Sequence, residues 1–413
     1  MRVLWITNIL FPEINKYLGG NYNHAGGWMI SLAENLRKAL DIELSVAAVT
    51  PLCRELVKYE NNDICYYAIP YGRGNISYNK QYCYYWEMIA KDFNPDIVHI
   101  HGTEFTHGLS YVEALGSGKV VVSIQGLLTE IAKYSKGGLT ICEIIRNITL
   151  RDCISKTDLL SESRKYETRA KWERRLLAKV DNVIGRTEWD KIHTLKINPS
   201  ANYYSVNESM RKEFYCTNQW SYASCKKHSI FLSQASCALK GAHFVFRALQ
   251  MVLDKFPDTI VRIAGNDITK MDSLKDFIKQ TNYSRYIRRL IRRLHIADKI
   301  EFLGVLDADA MKKEYLSANV FICPSSIENS PNSIGEAQLL GVPIIASNVG
   351  GVPSILDSST MYEYDDVDAL ASNICRIFRD SQSYDNTQQC KMANIRYNRE
   401  QNLYKLIEVY NSI

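Results

Sequence analysis

The sequence lacks several features that would define a protein class. It has no uninterrupted apolar run of the roughly 20 residues that a bilayer requires, so we expect no membrane-spanning helix. It also has no C-x-x-C pair, and its eleven cysteines are odd in number and scattered, which favours free thiols in a reducing cytoplasm. The net charge is only +5, so nucleic acid is not an expected partner.

The length and composition indicate a globular protein of two domains. The 413 residues are too many for one ordinary core and suit two domains of roughly 200 residues, which implies a cleft. The shares of 46% apolar and 23% charged residues are ordinary for globular proteins. The apolar start, Val3 to Phe11, runs into Pro12 and Glu13 without a small-residue cleavage site, so it predicts a buried strand rather than a signal peptide.

Both halves of the chain alternate short apolar runs, such as Ile97 to Ile100 and Val320 to Cys323, with helical patterns. This alternation predicts an α/β fold with parallel sheets covered on both faces. The polar, turn-rich stretch 216–227 is the predicted linker between domains over 1–215 and 228–397. Ligands of such open sheets bind at the carboxyl ends of the strands, so candidate residues are sought there.

Two segments are locally basic, Arg285 to Leu294 and Arg164 to Lys179. The first places Ile287 and Leu290 on one helical face and its arginines on the other. The simpler interpretation of each segment is a helix packed on the core with a solvated charged face. The alternative is attraction to an anionic membrane surface.

The most informative motif contains two glutamates, Glu328 and Glu336, followed by an apolar helical pattern and a strand. If Glu328 lies in a loop and a helix begins near Ser333, both carboxylates and the free N–H groups of the first turn face one ligand. Helix N-termini favour phosphate, and carboxylates accept hydrogen bonds from sugar hydroxyls, so a nucleotide sugar suits the motif. The competing interpretation is structural, because Ser333-x-x-Glu336 also has the pattern of a helix capping box.

The segment resembles glycosyltransferase family four, the retaining GT-B enzymes also described as glycosyl transferases group 1. That family carries E-x7-E, then A-x-x-x-G-x-P, then a pair of glycines, and the matching residues here are Glu328, Glu336, Ala337, Gly341, Pro343, Gly350 and Gly351. The resemblance implies two Rossmann-like domains facing each other across a cleft, with the helix over 398–413 crossing back onto the first domain. By the same resemblance Glu328 bonds hydroxyls of the donor sugar and Glu336 holds the ribose.

The resemblance also assigns the diphosphate site. Asn332 and Ser333 are expected to offer backbone N–H groups to the diphosphate, and Ser330, Gly265 and Val305 are expected to line the donor site. A proline, Pro331, stands where the family usually has glycine, so one N–H donor is absent.

A second landmark of the family is a strand ending in G-R, a short loop, and K-G at the start of a helix. Lys240 and Gly241 match the K-G pair, and a lysine at this place can neutralise a leaving diphosphate. Gln234 or Ala235 stands in place of the arginine, which leaves open how the full diphosphate charge is balanced. The structural alternative for Lys240 is a solvated surface lysine beside a capping glycine.

In the first half, Gly26 and Gly27 lie between the first strand and a helix near Trp28 and match the family's G-G loop against the donor phosphate. No G-x-G-x-x-G fingerprint for NAD is present, which weakens a dehydrogenase interpretation.

His99 and His101 end a buried strand. A histidine pair could ligate a metal or be satisfied in the core, but no third ligand is near in sequence.

The resemblance selects His101 as the histidine that faces the reaction centre and leaves His99 as structural. Arg186, in Gly-Arg-Thr-Glu-Trp-Asp, has two open interpretations: contact with a phosphate, or an ion pair with Asp190. Asn207, Glu208 and Arg211 receive no role.

The sequence therefore predicts a retaining hexosyltransferase, with a nucleotide-diphosphate sugar such as a UDP- or GDP-sugar as co-substrate, no cofactor and no metal. The expected acceptor is a hydroxyl of a glycan or a lipid-linked glycan in cell-surface polysaccharide or glycolipid synthesis. The expected place is the cytoplasm, with peripheral contact at the inner face of the membrane as a further expectation. Two alternatives stay open: a nucleotide-sugar epimerase of the same architecture, and a noncatalytic nucleotide-sugar-binding protein, which the missing arginine suggests.

Overall fold

A computed structural model of the chain describes residues 1–21, 26–38, 42–71, 78–215 and 218–413. Cys216 and Thr217 of the predicted linker lie outside the described residues. The chain divides into two compact units. The first unit contains Met1–Ile131, Lys165–Ser209 and Tyr397–Ile413, and the second contains Ala132–Arg164 and Met210–Arg396.

The strands of the first unit are β1 (Arg2–Thr7), β2 (Glu43–Thr50), β3 (Val57–Asn61), β4 (Ile64–Pro70), β5 (Ile97–His101), β6 (Val120–Ser123), β7 (Asn182–Gly185) and β8 (Asn202–Ser205). The strands of the second unit are β9 (Ser229–Leu232), β10 (Ile260–Ile263), β11 (Ile300–Phe302), β12 (Val320–Cys323), β13 (Ile344–Ser347) and β14 (Met361–Tyr362).

The helices of the first half of the chain are α1 (Pro12–Tyr17), α2 (Gly27–Lys38), α3 (Gln81–Phe93), α4 (His107–Leu115), α5 (Leu128–Tyr134), α6 (Ile141–Arg146), α7 (Leu150–Ser155), α8 (Leu159–Leu177) and α9 (Glu188–Ile197). The helices of the second half are α10 (Ala242–Leu253), α11 (Leu274–Lys279), α12 (Asn282–Leu294), α13 (Ala308–Ser317), α14 (Asn332–Leu339), α15 (Val367–Asp380), α16 (Thr387–Arg396) and α17 (Arg399–Ser412).

The sheet of the first unit has the strand order β3-β4-β2-β1-β5-β6-β7-β8. Its neighbouring strands pair in parallel except β3 and β4, which pair antiparallel. Strand β1 lies between β2 and β5, with Trp5 opposite His99. The order reverses between β1 and β5, so the loops that follow these two strands border the crevice where open α/β sheets bind ligands.

The sheet of the second unit has the strand order β11-β10-β9-β12-β13-β14, and all of its pairs are parallel. This is the Rossmann order, with the reversal between β9 and β12. Strands β12 and β13 are buried along their whole length, as expected for continuous apolar runs in a sheet covered on both faces. The predicted α/β architecture with two parallel sheets is confirmed.

Residues 132–164 were predicted to belong to the first domain, over 1–215. In the structure they pack with the second unit, although they precede the predicted linker. Leu139 and Ile144 are buried in the same hydrophobic core as α10 and α12. Two polar contacts support this packing: His243 Nε2 lies 2.9 Å from the Gly137 carbonyl oxygen, and Asn282 Nδ2 donates to the Ile144 carbonyl at 2.7 Å.

The C-terminal helix α17 belongs to the first unit. Its Tyr410 hydroxyl accepts a hydrogen bond from Trp5 Nε1 at 3.0 Å and lies 2.6 Å from His99 Nδ1. The contacts join the last helix to the central strands β1 and β5. In the described ranges, none of the helices combines the length and the apolar character that crossing a bilayer requires.

Candidate functional site

The loops after β9 and β12 bring Lys240 and Glu328 together at the point where the strand order of the second sheet reverses. Lys240 ends a short 3₁₀ turn after β9, and Glu328 lies in the loop between β12 and α14. Lys240 Nζ donates to Glu328 Oε1 at 2.6 Å, and the Ser325 hydroxyl donates to the same oxygen at 2.8 Å. Residues that are 88 positions apart in the chain thus form one charged pair at the predicted ligand-binding edge.

Two glycines allow these loops to approach one another. Gly241 has φ +67°, and a Cβ there would lie 1.8 Å from the Pro324 carbonyl oxygen. Gly350 has φ +54°, and a Cβ there would lie 2.0 Å from the Glu328 carbonyl oxygen. Left-handed backbone and close approach both require glycine, so these two positions explain why the motif places glycine beside Lys240 and after the second apolar strand.

The pair keeps the Lys240 side chain charged. Burial disfavours the ammonium, but the charge and the hydrogen bond of Glu328 outweigh that effect and raise the pKa of Lys240 above its ordinary value. About a quarter of the lysine side chain remains exposed, 27%, against 14% for Glu328. A positive charge that is held in place and still accessible can stabilise negative charge on a bound ligand.

Glu336 is paired with Arg211, a residue for which the sequence predicts no role. Arg211 Nε donates to Glu336 Oε1 at 2.8 Å, and the guanidinium lies over the Phe214 ring at 4.8 Å. The Glu336 side chain is 7% exposed. Burial raises the pKa of its carboxyl, and the charge and hydrogen bond of Arg211 oppose that effect.

The alternative that Ser333 and Glu336 form a helix capping box is wrong. Helix α14 begins at Asn332, one residue before the expected start, and its N-cap residue is Pro331. Among the residues that the structure describes, no side chain caps α14. Ser333 lies inside the first turn, where its carbonyl oxygen accepts a hydrogen bond from the Tyr315 hydroxyl at 3.1 Å. The donor-binding roles expected of Asn332, Ser333 and Glu336 stay predictions.

The other donor-site candidates follow strands of the same sheet. Gln234 is exposed after β9, Gly265 follows β10, and Val305 follows β11 with 62% of its surface exposed. Gly265 has φ +104°, and its N–H donates to the Gly304 carbonyl at 2.8 Å. Ser330 is half-buried just before α14. All four therefore lie at the carboxyl edge of the second sheet.

In the first unit, His99 and His101 stack at the end of β5 with ring centroids 3.8 Å apart. Both ring nitrogens of His99 are engaged, by Tyr410 and by the Ser123 hydroxyl, each at 2.6 Å. Among the described residues, neither ring nitrogen of His101 has a hydrogen-bond partner, although the side chain is buried. Burial lowers the pKa of His101 to about 3, so the imidazole is neutral at physiological pH.

His101 lines a small cavity of about 30 Å³ that also has Trp28, Arg186 and Glu208 in its wall. Arg186 Nη1 lies 2.5 Å from Glu208 Oε2, and Nη2 donates to the Ile124 carbonyl at 2.8 Å. The side chain of Arg186 therefore forms an ion pair, but with Glu208 and not with Asp190. Asp190 instead accepts a hydrogen bond from the backbone N–H of Arg186. Contact with a phosphate stays a prediction.

Glu104 was not selected from the sequence, yet it lies where the strand order of the first sheet reverses. Its Oε2 accepts a hydrogen bond at 2.8 Å from Nδ2 of Asn8, which follows β1. Burial raises the pKa of the Glu104 carboxyl to about 7. Its place three residues beyond His101, just after a buried strand, is the signal that could have found it.

Gly26 and Gly27 lie at the start of α2. Gly26 has φ +76°, and a Cβ there would lie 1.8 Å from Ile9 Cδ1. The first glycine is thus required by the backbone and by the side chain that follows β1. Contact of either glycine with a donor phosphate stays a prediction.

The charged groups of the second unit can serve a diphosphate and a polyol together, because an ammonium and a half-buried carboxylate stand side by side. Within the described ranges, no group of three or more His, Cys, Asp or Glu side chains is placed to hold a metal ion. The expectation that no metal takes part stays a prediction.

The family model of Glycosyl transferases group 1 matches residues 218–393, and these residues make up less than half of the chain. Sucrose-phosphate synthase from Thermosynechococcus elongatus superposes with a TM-score of 0.70 at 16% identity, over 100% of this chain and 98% of that chain. HepE from Anabaena, solved in complex with UDP-glucose, gives a TM-score of 0.66 at 12% identity over 100% of both chains. The fold is GT-B. The predicted fold class is confirmed.

The curated relatives include proteins named as glycosyltransferases. The chain is 22% identical over 309 residues to the putative glycosyltransferase YtcC of Bacillus subtilis. The matched region covers 72% of this chain and 68% of that protein. It spans only 40%, 33% and 41% of the length of three other curated relatives that it matches. The likeness to these three is therefore confined to part of each protein.

Proposed function

We propose that this GT-B protein is a retaining glycosyltransferase that moves a hexose from a nucleotide-diphosphate sugar to a hydroxyl of a glycan or lipid-linked glycan. The observation that carries the proposal is the Lys240–Glu328 pair, 2.6 Å apart at the reversal of the second sheet. The pair lies within the residues that match Glycosyl transferases group 1. Cytoplasmic synthesis of a cell-surface polysaccharide or glycolipid is the setting that we propose for it.

The proposed reaction exchanges one bond at the anomeric carbon of the donor sugar. The bond from that carbon to the diphosphate oxygen breaks, and its electron pair leaves with the diphosphate. The acceptor oxygen forms the new bond on the same face, and its proton passes to the leaving phosphate. No protein nucleophile takes part, so the side chains act through position and charge.

Lys240 has the larger part in this scheme. Negative charge on the diphosphate grows as the glycosidic bond breaks, and a fixed ammonium stabilises it more in the transition state than in the bound donor. Glu328, next to it, accepts hydrogen bonds from hydroxyls of the sugar ring. The two side chains neutralise one another, and donor binding would exchange this ion pair for contacts with the diphosphate and the sugar.

The donor is proposed to be a UDP- or GDP-sugar. Support for a nucleotide sugar comes from the family match and from the structural likeness to HepE, whose complex contains UDP-glucose. The buried Glu336 carboxylate, held by Arg211, is the proposed acceptor for ribose hydroxyls. His101, whose imidazole is neutral and unpaired in the described structure, is proposed to face the acceptor.

The test begins with thermal unfolding in the presence of UDP-, GDP- and ADP-sugars, because a ligand that binds only the native state raises the melting temperature. The sugar nucleotide that binds is then followed with and without a mixture of glycan acceptors. Release of nucleoside diphosphate that increases with acceptor supports transfer.

Other outcomes favour the alternatives. Conversion of the donor sugar without acceptor would identify an epimerase, and binding without any turnover would identify a noncatalytic binding protein. Glu328→Gln is the companion variant, because it keeps the size of the side chain and removes its charge.

A further inference from the structure

Three short helices of the second unit, α6, α7 and α11, carry an unusual set of exposed apolar side chains. Each helix has six residues, and together they expose seven large hydrophobic side chains, with exposed fractions between 54% and 83%. We call this set the apolar face; it consists of Ile141, Ile145, Leu150, Ile154, Leu274, Phe277 and Ile278. Scattered exposed apolar residues are ordinary, but a concentration on adjacent helices marks an interaction surface.

The spacing of these residues shows that each helix presents one apolar stripe outward. Ile141 and Ile145, like Leu150 and Ile154, are four residues apart and lie on one side of their helix. An adjacent side of α6 is used for packing, because Ile144 is fully buried in the core of the second unit. The apolar face is therefore additional to the side chains that hold the helices in place.

Hydrogen bonds make the three helices neighbours. Arg151 of α7 donates through Nη1 to the carbonyl of Lys279 in α11 at 2.7 Å, and the hydroxyl of Thr149 donates to the carbonyl of Gln280 at 3.0 Å. Only residues 147–149 separate α6 from α7. The stripes thus belong to one region of the second unit.

This region is strongly basic. Residues 141–156 and 270–295 contain eleven Lys and Arg residues and four Asp and Glu residues, whereas the whole chain has a net charge of only +5. All four acidic side chains are engaged locally: Glu143 with Arg247, Asp152 and Asp276 at the N-termini of their helices, and Asp272 with Lys270.

Three arginines of α12 add positive charge to this region. Among the described residues, Arg289, Arg292 and Arg293 form no salt bridge, and all three are exposed. The apolar side of α12 is buried in the core, with Ile287 fully buried. This helix therefore contributes charge to the region, and none of its large apolar side chains is exposed.

We propose that the apolar face docks on a lipid bilayer that contains anionic lipids. Apolar side chains that project singly from short helices suit the boundary between headgroups and acyl chains, and the surrounding Lys and Arg side chains are complementary to anionic headgroups. A second copy of the chain suits the face poorly, because pairing would bring two uncompensated basic clusters together. The proposal does not depend on the transferase activity.

The experiment is flotation of the full chain with vesicles, without any sugar nucleotide. One set contains phosphatidylglycerol and phosphatidylcholine in equal amounts, and the other contains phosphatidylcholine alone. We expect binding to the anionic vesicles, at least tenfold weaker binding to the neutral ones, and a marked loss at high salt.

Two variants separate the apolar and charged contributions. Ile145→Ser with Ile154→Ser removes two members of the apolar face, and its matched control, Ile192→Ser with Ile395→Ser, changes two isoleucines that are similarly exposed elsewhere. We expect at least a tenfold loss of vesicle binding for the first pair and none for the control. Arg292→Gln with Arg293→Gln should weaken binding to the anionic vesicles and leave the weaker binding to the neutral vesicles unchanged.

Circular dichroism melts show whether each variant is folded, and sedimentation velocity reports the oligomeric state. Wild-type protein that does not float with anionic vesicles would overturn the proposal, as would equal binding by the Ile145/Ile154 variant and its control. A wild-type dimer that this variant converts to monomer would assign the apolar face to a second copy instead.

Discussion

The pairing of Arg211 with Glu336 makes Arg211→Met a demanding test of the second unit. The change removes the guanidinium that donates to Glu336 at 2.8 Å and lies over the Phe214 ring, and puts an uncharged, apolar side chain in its place. The carboxylate left behind is almost fully buried, with 7% of its side chain exposed. Removing one partner of a buried pair costs about 3–5 kcal/mol. Because Arg211 is itself 24% exposed, we expect a value near the lower limit.

The loss of unfolding free energy in Arg211→Met should depend on pH in a defined direction. Burial already raises the pKa of Glu336 above the ordinary value of 4.5, and removing Arg211 raises it further. A carboxyl group with a raised pKa in the folded state binds protons more tightly there than in the unfolded chain. Its contribution to stability is therefore present at low pH and is lost as the pH rises through the folded-state pKa. The variant should be closest to wild type in acid and most destabilised above neutral pH.

The assay is urea unfolding of wild type and variant at pH 5 and pH 8, with Glu336→Gln and the double variant completing a cycle. In the double variant the unpaired charge is absent, so we expect recovery of most of the lost stability at pH 8. Lys270→Met, which removes an exposed pair with Asp272, is the control and should cost less than about 1 kcal/mol at both pH values. Equal losses for Arg211→Met at both pH values, with additive effects in the cycle, would refute the reasoning.

Three further predictions concern the two candidate sites. Glu328→Ala should nearly abolish transfer yet leave nucleoside diphosphate affinity equal or higher, because Lys240 loses its competing partner. Unchanged turnover, or a lower affinity for nucleoside diphosphate by titration calorimetry, would contradict this prediction. His101→Ala should lower turnover while donor affinity changes little and the protein stays folded, and loss of folded protein would mark a core histidine. Glu104→Gln should flatten the fall in unfolding free energy as the pH rises from 4.5 to 7, because the raised pKa of about 7 makes the wild type less stable over that interval; an unchanged pH profile by urea titration would contradict it.

Much of the second unit could be predicted from the sequence because its signals are local. Lys240 and Glu328 each follow an apolar run that forms a central strand, and the ends of neighbouring parallel strands meet at one edge of the sheet. The pairing of Lys240 with Glu328 follows from that rule once the strand order is known. The glycines beside them mark the places where backbone comes into close contact.

The features that were missed depend on contacts between distant residues. Arg211 lies in a segment without helical or strand periodicity, and its partner is 125 residues away. Residues 132–164 show helical patterns, but no local signal indicates that Asn282, 138 residues beyond Ile144, holds them on the second unit. The apolar face could not be recognised for the same reason, since its stripes become neighbours only after α7 and α11 pack together.

The measurement that tests the proposed site most directly is turnover and donor affinity of Lys240→Met, with Lys255→Met as the control at an exposed lysine of the same unit. The ammonium stabilises charge that grows as the glycosidic bond breaks, so we predict that turnover falls on the order of 10²-fold while affinity for the intact donor changes only a few-fold. Near-normal turnover in Lys240→Met, equal to that of the control, would contradict the assignment of the diphosphate site.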